Sequence, residues 1–587
     1  MKKIILLLFI SALVALSGCK EDIQIDTNNE LIPPAFMDKE FDNGSGINTI
    51  KLSGQLTEDL ILLGRIWGFL KYHHPEVGKG NYNWDYELFR ILPAFLQIKN
   101  SQERDNLILN WINKYGDIPA CISCKETPAN AYIKPDLLWA ENSNMNDILK
   151  AKIKGIYQNR HQEDHYYVRI DEIVFIPRFL HEKTYSGMEY PNPGFRLLTL
   201  YRYWNMIHYF FPSKYLTDKI WDDILLEYIP LFVSAVDRLE YEQATLQMIG
   251  EINDTHAIFT GGVKIEELRG NKYAPFQVRF IEGNLLVSLY YNPELKDVSG
   301  LEIGDIITHI NGETVEAIVK NRRKYYPASN ESARLRDMSY DLVRSNEKTI
   351  SINYISKGQA GQKDIQLYDR FILSFPNWND GWYKVDKKEK SYKLLKGNIG
   401  YVTLASIKVE DVPVIRSEFK DTKGIIIDIR NYPFSQAAFD LAYFFISHPV
   451  PCVKYTIGNT NNPGEFTFSA PSMILSSGET YRNKLIVLVN ERTQSAAEFA
   501  TMGFRAGVNT TIVGSTTAGA DGNVSYIDLP GGIRTRISGI GIYYPDGTKT
   551  QRVGIVPDIW CEPTMEGIRQ GRDELLEMAI DLINKEK

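Results

Sequence analysis

The stretch that most constrains this chain is the apolar run KLIVLVN at 484–490, which is followed by a polar turn and by helix-forming residues to 500. The run predicts a buried strand, and the residues after the turn predict a helix with an apolar stripe. Ser495 would stand at the helix N-terminus, where backbone N–H groups without intrahelical partners can stabilise an anion. Small Ala496 and Ala497 follow it. An N-cap is the commoner role for a serine at this position, so a catalytic interpretation needs a base elsewhere in the chain.

Length and charge limit the class of protein. A chain of 587 residues is too long for one core, so we expect three or four domains. Its hydrophobic fraction of 44% is that of a globular protein. The 66 basic and 73 acidic residues give a net charge of −7, and no basic patch points to nucleic acid.

The N-terminus has the pattern of an export signal. Lys2 and Lys3 precede an apolar run at 4–16 that is too short to span a bilayer. The run ends in LSGC at 16–19, which resembles a bacterial lipobox, and KED follows, which resembles the export signal of surface lipoproteins. We therefore predict a lipoprotein signal peptide at 1–18, lipidation of Cys19 and a tether at 19–50. The expected location is the cell envelope, anchored to the outer membrane by the lipid. An ordinary signal peptide with a chance cysteine is the alternative.

Cysteine usage fits an exported protein, where disulfides are permitted. Cys121 and Cys124 form a CxxC pair, whereas Cys452 and Cys561 stand alone. One CxxC without a second pair is weak evidence for zinc, so a local disulfide or two free thiols is favoured. No metal or cofactor is predicted.

The next region contains an internal repeat. Its members recur 137 positions apart, and the pairs are Arg65 and Arg202, Trp67 and Trp204, Tyr72 and Tyr209, Pro75 and Pro212, Trp84 and Trp221, Asp85 and Asp222, and Pro93 and Pro230. The apolar spacing is helical. We expect one helical module in two copies, at 51–140 and 191–262, joined by a connecting segment at 141–190.

The two copies differ at their ends. Asp117 corresponds to Asp254, and Pro119 corresponds to His256. Imidazole is the side chain whose pKa suits a general base near neutral pH. His256, in the polar turn NDTH, is therefore the leading candidate base, and a purely structural histidine is the alternative.

The middle of the chain changes to short strands between about 274 and 368. The segment GLEIGDIITHING at 300–312 resembles the signature of bacterial PDZ domains, and its Asn311–Gly312 pair is a hairpin-turn signal. We expect a PDZ-like β domain at 270–370. The resemblance implies binding of extended peptide ends by strand addition, and a spacer or lid is the alternative.

From 397 onward, buried strands alternate with helices, which predicts an α/β core within a domain at 390–587. The last stretch, 565–587, has the pattern of an amphipathic helix. The whole chain is therefore predicted to be a multidomain α+β protein.

Three motifs of this last domain, Asp428-x-Arg430, the SAAE at 495–498, and YPDG at 544–547 leading to GIVPD at 554–558, resemble the C-terminal-processing and tricorn-type serine peptidases, also called tail-specific proteases. The similarity extends over roughly 235–575. It implies a crotonase-like, ClpP-type peptidase fold, a peptide or protein substrate, and Ser495 as nucleophile. The segment 517–522 lacks the lysine base of the processing branch. The tricorn-like branch instead uses a histidine in a turn, which His256 matches.

The resemblance also implies supporting groups. The backbone N–H of Ala496 would hold the oxyanion, together with one from the loop after Arg430. Because Pro433 has no N–H, the second donor is expected to be the Tyr432 backbone. The branch carries a glutamate where this chain has Gln551, so Asp254 and Glu498 are further candidates for the orienting group.

The sequence therefore predicts a serine endopeptidase or carboxy-terminal processing enzyme. A degenerate relative that binds peptides or apolar ligands without cleaving them is the alternative. The Gly-x-Ser-x-Gly elbow of α/β-hydrolase esterases is absent around Ser495.

Overall fold

The computed structural model describes residues 32–383, 388–433 and 435–585. The predicted signal peptide, Cys19 and the first part of the tether lie outside these residues. Among the helices that are described, none is long and apolar enough to cross a membrane.

The first region is helical, and six of its helices begin at capping side chains. Ser53 Oγ accepts the N–H of Leu56, and Asn192 Oδ1 accepts that of Phe195. The elements are α1 (Pro34–Met37), α2 (Gly54–His73), α3 (Pro75–Gly78), α4 (Trp84–Phe95), α5 (Ser101–Asn113), α6 (Leu138–Glu141), α7 (Asp147–Gln158), β1 (Val168–Ile170), β2 (Pro177–Phe179), α8 (Pro193–Phe210), α9 (Ile224–Ser234), α10 (Arg238–Gly250) and α11 (Val263–Arg269).

The two predicted helical copies carry the same indole pairing. Trp67 Nε1 donates to the carbonyl of Trp84 at 2.9 Å, and Trp84 Nε1 donates back to that of Trp67 at 2.8 Å. Trp204 and Trp221 exchange the same two bonds, at 2.9 and 3.1 Å. Equivalent positions of the repeat therefore have equivalent buried contacts.

Charged pairs cross between the two helical segments. Arg202 is fully buried and contacts Asp85 at 2.6 Å, while the equivalent Arg65 lies 3.7 Å from Asp222. Each arginine thus faces the aspartate of the other segment, so the two contacts are reciprocal. The ends differ, because 117–119 lie at the surface whereas 254–256 are buried.

The connecting segment holds helix α7 and the β1–β2 hairpin, so it is more ordered than a linker. Cys121 and Cys124 form a disulfide, which is one of the two predicted states of this pair.

The middle unit contains β3 (Lys272–Tyr273), β4 (Phe276–Ile281), β5 (Asn284–Tyr290), α12 (Leu295–Ser299), β6 (Ile306–Ile310), β7 (Glu313–Thr314), α13 (Val315–Arg322), α14 (Glu331–Leu342), β8 (Arg344–Ser345), β9 (Thr349–Ser356), β10 (Gln359–Gln366) and β11 (Tyr368–Asp369). The main sheet has the order β10-β9-β6-β5-β4, with β7 paired to β6. The predicted turn between β6 and β7 is confirmed, since Asn311 and Gly312 have φ of 50° and 83°.

The last unit contains β12 (Tyr392–Leu395), β13 (Ile399–Thr403), α15 (Asp411–Phe419), β14 (Gly424–Asp428), α16 (Ala437–Ala442), β15 (Val450–Gly458), β16 (Phe466–Phe468), β17 (Ser472–Ile474), β18 (Lys484–Val489), α17 (Ala496–Arg505), β19 (Thr510–Gly514), β20 (Val524–Leu529), β21 (Ile533–Ser538), β22 (Ile542–Tyr543), β23 (Ile559–Trp560), α18 (Met565–Gln570) and α19 (Glu574–Asn584). Its sheet has the order β12-β13-β14-β18-β19-β23, parallel except for β12.

Strand β18 is apolar and buried from Leu485 to Val489 because both faces of this sheet are covered. Val487 packs into the cluster that includes α15, α16 and α17, while Ile486 packs against α19 on the other face. The prediction of a single helix over 565–587 is wrong. It is two helices, α18 and α19, because Gly571 ends the first in the left-handed region, with φ of 65°.

The β20–β21 hairpin joins the last unit to the helical region. Ile527, Leu529, Ile533 and Ile537 are buried in the same apolar cluster as the helices α2, α8 and α10. The hairpin therefore fixes the position of the helical region relative to the α/β sheet.

Candidate active site

Ser495 lies in a strained turn between β18 and α17. Its φ of 56° and ψ of −121° are unusual for a residue with a side chain, and such a conformation costs about 1–3 kcal/mol. Ordinary caps in this molecule are extended, as at Ser53 (φ −127°, ψ 166°) and Asn330 (φ −147°, ψ 173°). Ser495 is also partly exposed. Its backbone therefore differs from that of a residue that only caps a helix.

The side chain of Glu498 links this turn to the segment 517–520 by hydrogen bonds. Its Oε1 accepts Thr517 Oγ1–H at 2.5 Å and the N–H of Gly519 at 2.9 Å. Its Oε2 accepts the N–H of Ala520 at 3.0 Å and that of Ser495 at 3.2 Å. Burial raises the pKa of Glu498 to about 7, although these four donors act in the opposite direction.

The same 517–520 segment contacts the turn that carries His256. The hydroxyl of Thr255 donates to the carbonyl of Ala518 at 3.0 Å, while the N–H of Ser495 donates to the carbonyl of Ala520 at 2.9 Å. Two residues of one short segment thus bond to the two turns. The structure brings the Ser495 and His256 turns together across it.

His256 is linked to Asp254 through a serine that the sequence analysis missed. His256 Nδ1 and Ser538 Oγ are 2.9 Å apart, and Ser538 Oγ–H donates to Asp254 Oδ1 at 3.0 Å. The backbone N–H of Ser538 donates to Asp254 Oδ2 at 2.6 Å, and the N–H of His256 donates to Oδ1 at 3.0 Å. Ser538 lies 282 positions beyond His256, so no local motif could have identified it.

Burial controls the protonation of His256. Only 2% of this residue is exposed, and burial lowers its pKa to about 4, with Asp254 raising it and Arg536 lowering it. The imidazole is therefore neutral near pH 7. With Nδ1 held by Ser538, Nε2 is the nitrogen left to accept a proton.

The three residues predicted as candidates for the orienting group make different contacts, and only Asp254 is linked to the His256 ring. Asp254 reaches the His256 ring through Ser538, and Glu498 contacts the Ser495 turn instead. Gln551 is buried, and its amide nitrogen has no hydrogen-bond partner within the described ranges.

The prediction for the Tyr432 backbone is wrong in this structure. Its N–H donates to the carbonyl of Asn379 at 3.1 Å and is not free for an oxyanion. Burial raises the pKa of the Tyr432 phenol, while the neighbouring Ser495 and Ala496 and the charge of Arg536 act in the opposite direction. Tyr432 and Ser495 meet because β14 and β18 are parallel neighbours, so both of their following loops leave the same edge of the sheet.

The loop that lacks a lysine contains a second buried carboxyl group. Asp521 Oδ2 has no hydrogen-bond partner in the part of the chain described, and burial, with the nearby Glu498, raises the pKa of Asp521 well above its usual range. Burial thus disfavours the ionisation of both carboxyl groups, and the charge of Glu498 adds to this effect at Asp521.

Comparison with known proteins supports this view of the fold. The model of peptidase family S41 matches residues 398–561. A carboxyl-terminal-processing protease of Synechocystis sp. is 25% identical over 197 residues, which are 32% of this chain and 44% of that protein. The chain thus spans less than half the length of this curated relative.

Two solved structures of mature CPAF, one of them complexed with lactacystin, have a similar fold. They match with TM-scores of 0.52 and 0.51 at 14% identity, covering 67% of this chain and 99% and 98% of theirs. Residues 398–561, within the last unit, are thus similar to the peptidases of family S41, and the curated relative is a carboxyl-terminal-processing protease.

Proposed function

We propose that this chain is a serine-type endopeptidase or carboxy-terminal processing peptidase with Ser495 as nucleophile and His256 as base. One observation carries the proposal: the 517–520 segment bonds both to the strained, partly exposed Ser495 and to Thr255, the residue before the buried, neutral His256. Cores seldom need a serine with this backbone, and strain of this kind concentrates at functional sites.

The proposed chemistry is acyl transfer. Ser495 Oγ attacks the peptide carbonyl carbon while His256 Nε2 takes the hydroxyl proton, and the same proton then goes to the leaving amine. Water next attacks the acyl-enzyme with the histidine again as base. Asp254, acting through Ser538, stabilises the imidazolium that forms, and the N–H of Ala496 holds the oxyanion.

A peptide-binding protein without cleavage is the second candidate, because the N–H groups of Ile429, Arg430 and Tyr432, in the loop expected to supply the second oxyanion donor, already donate within the fold. Cleavage of a peptide library by the wild type and by Ser495→Ala separates the two. The proposal expects products only from the wild type. Binding by both without cleavage by either would favour the second candidate.

We further propose a lipid anchor at Cys19 and a place on the cell envelope, supported by the LSGC at 16–19. The test is fractionation of cells that express the wild type or Cys19→Ala. The variant is expected in the soluble fraction, and its continued membrane association would contradict the anchor.

We also infer that the helical segments are two copies of one module and that the middle unit is PDZ-like. Their support is the matching indole pairs and the strand order described above. A PDZ-like unit beside the peptidase would take an extended peptide substrate at a sheet edge.

A further inference from the structure

A cavity of about 430 Å³ lies outside the candidate active site, between the helical region and the last unit. Its walls come from the segment 132–136, from the C-terminal end of α8 with residues 214 and 215, and from β16 with Gly464 just before it. Neither Ser495 nor His256 lines it. Small-molecule sites usually have volumes of about 300–1,000 Å³, so the cavity is large enough for a ligand of its own.

Hydrogen bonds hold the walls of this cavity together. Ile133 and Phe466 exchange two backbone bonds, at 3.2 and 3.0 Å. The hydroxyl groups of Tyr132 and Tyr215 share a hydrogen bond of 2.6 Å. Each pair joins two segments that are distant in the sequence. The cavity is therefore formed before any ligand arrives, which lowers the cost of binding.

The cavity contains a lysine ammonium without a counter-ion. Lys214 is half-buried, its Nζ donates to His208 Nδ1 at 3.2 Å, and within the described ranges it makes no ion pair. Asp136 also lines the cavity, but its Oδ1 accepts the N–H of Leu138 at 3.0 Å. Burial lowers the pKa of Lys214, with Asp136 and Asp222 acting in the opposite direction. Because a cation withdrawn from water is costly unless an anion pairs with it, an anionic ligand would be stabilised here.

The imidazole beside the lysine is neutral. Only 4% of His208 is exposed, and its ring stacks on Trp204 with centroids 4.8 Å apart. Burial lowers the pKa of His208 well below its usual range, and the charge of Lys214 adds to this. Since an ammonium group can only donate, Nδ1 is the acceptor and the ring proton is on Nε2. The histidine thus orients the ammonium without adding charge.

The rest of the lining suits an apolar ligand. Its uncharged side chains are mainly aromatic, and they are Tyr132, Ile133, Phe211, Tyr215 and Phe466. Such a lining favours an aromatic or aliphatic body. The cavity also lies at the C-terminal end of α8, where the helix dipole is negative. One half-buried ammonium at such a place suits a carboxylate better than a phosphate dianion.

We propose that this cavity binds a small carboxylic acid with an apolar or aromatic body, and that Lys214 pairs with its carboxylate. The same chemistry occurs in a free organic acid and in the C-terminal residue of a short peptide. Binding involves no covalent step. The site is separate from Ser495 and does not depend on the proposed cleavage.

Isothermal titration calorimetry of the wild type tests the ligand chemistry. The probes are phenylpropionate, N-acetylphenylalanine and the neutral amide of each. We expect acid binding, with the amide at least about tenfold weaker, because a hydrogen bond to a charged group is stronger than one to a neutral group. The acid that binds more tightly shows whether a free acid or a peptide end is preferred. Binding of neither acid, or equal binding of acid and amide, overturns the inference.

Lys214→Met tests the pairing with the carboxylate. Methionine keeps most of the length of the side chain but removes its charge, so the acid should bind at least about tenfold more weakly while the amide binds as before. Lys320→Met is the matched control, since Lys320 is exposed on α13 of the middle unit. Unchanged binding of the acid to Lys214→Met would overturn the inference.

A measurement on the wild type stays decisive if Lys214→Met does not fold. Acetic anhydride acetylates accessible lysines, and mass spectrometry of the digested protein gives the rate at each one. The bound acid should slow acetylation of Lys214 but not of Lys320. Equal rates at Lys214 with and without the acid would overturn the inference. None of these measurements involves cleavage, so their outcome is distinct from that of the peptide library.

Discussion

At the residue scale, the link between His256 and Asp254 depends on one small side chain, that of Ser538. The His256 ring and the Asp254 carboxylate are 3.9 Å apart at their nearest, and the Ser538 hydroxyl bridges them. The sequence identified Ser495 by its place after an apolar strand. It identified His256 because the equivalent position of the other repeat copy holds Pro119, which cannot act as a base. It could not identify Ser538, because a serine in a strand carries no signal of what lies across from it.

Removing the bridging hydroxyl should weaken catalysis. In Ser538→Ala we expect kcat to fall about tenfold, since one hydrogen bond contributes about 1–1.5 kcal/mol. Ser525→Ala is the matched control, because Ser525 Oγ is buried on the neighbouring strand and, among the described residues, has no partner. Equal kcat values in the two variants would show that His256 does not need Ser538.

The pH dependence of kcat/KM should reflect the pKa of His256, which burial lowers. Its pKa is lowered to about 4, so the base is lost only as pH falls through about 4. We expect kcat/KM for a peptide substrate without ionisable groups to stay level from pH 7 down to about 5. An acid limb near 6.5, the ordinary value for histidine, would contradict the buried, neutral base.

At the scale of elements, adjacent parallel strands and one carboxylate build the site. Strands β14 and β18 bring the Tyr432 loop to Ser495, and Glu498 ties α17 to the 517–520 segment. The strands and helices of this unit could be predicted from apolar runs. Their pairing order could not, because strands such as β14 and β18 are buried on both faces and have no distinctive pattern. Only the resemblance pointed to the meeting of Tyr432 with Ser495.

Glu498→Gln should destabilise the protein in a pH-dependent way. Glu498 accepts four hydrogen bonds with two oxygens, whereas the glutamine amide has only one oxygen. Some donors would therefore lose their partner, and each buried unsatisfied donor costs about 1–3 kcal/mol. The raised pKa of Glu498 favours the folded wild type at low pH, and this contribution is lost as pH rises from 4.5 through about 7.

Denaturant unfolding at several pH values tests this prediction. We expect the wild type to exceed Glu498→Gln in free energy of unfolding, with a difference that narrows between pH 4.5 and 7. The exposed Glu410→Gln is the control and should match the wild type throughout. A difference that widens with pH would mean that the Glu498 carboxylate is stabilised, rather than destabilised, by its site.

At the scale of the whole molecule, the proposed base and nucleophile come from different regions of the chain. His256 follows the second helical segment, and Ser495 lies in the α/β unit more than 200 positions later. The β20–β21 hairpin aligns them by burying its isoleucines in the helical core while Ser538 bonds to His256. Local patterns predicted the separate regions. They could not predict this hairpin's position, because its apolar side chains suit any core.

The hairpin makes activity depend on the helical core. Ile537→Ala should lower the free energy of unfolding by about 2–5 kcal/mol and also lower kcat, because Ile537 adjoins Ser538. Ile350→Ala, in a buried strand of the middle unit, should have a similar cost in stability. At a temperature where both variants stay folded, we expect reduced kcat only in Ile537→Ala. Equal kcat values would contradict the hairpin's role in placing His256.

The central claim is that Ser495 is a nucleophile activated by His256. A fluorophosphonate probe, followed by mass spectrometry of the digested protein, tests it most directly. We predict one labelled peptide containing Ser495, no label on it in Ser495→Ala, and much slower labelling in His256→Ala. Labelling elsewhere, or an unchanged rate without His256, would contradict the claim.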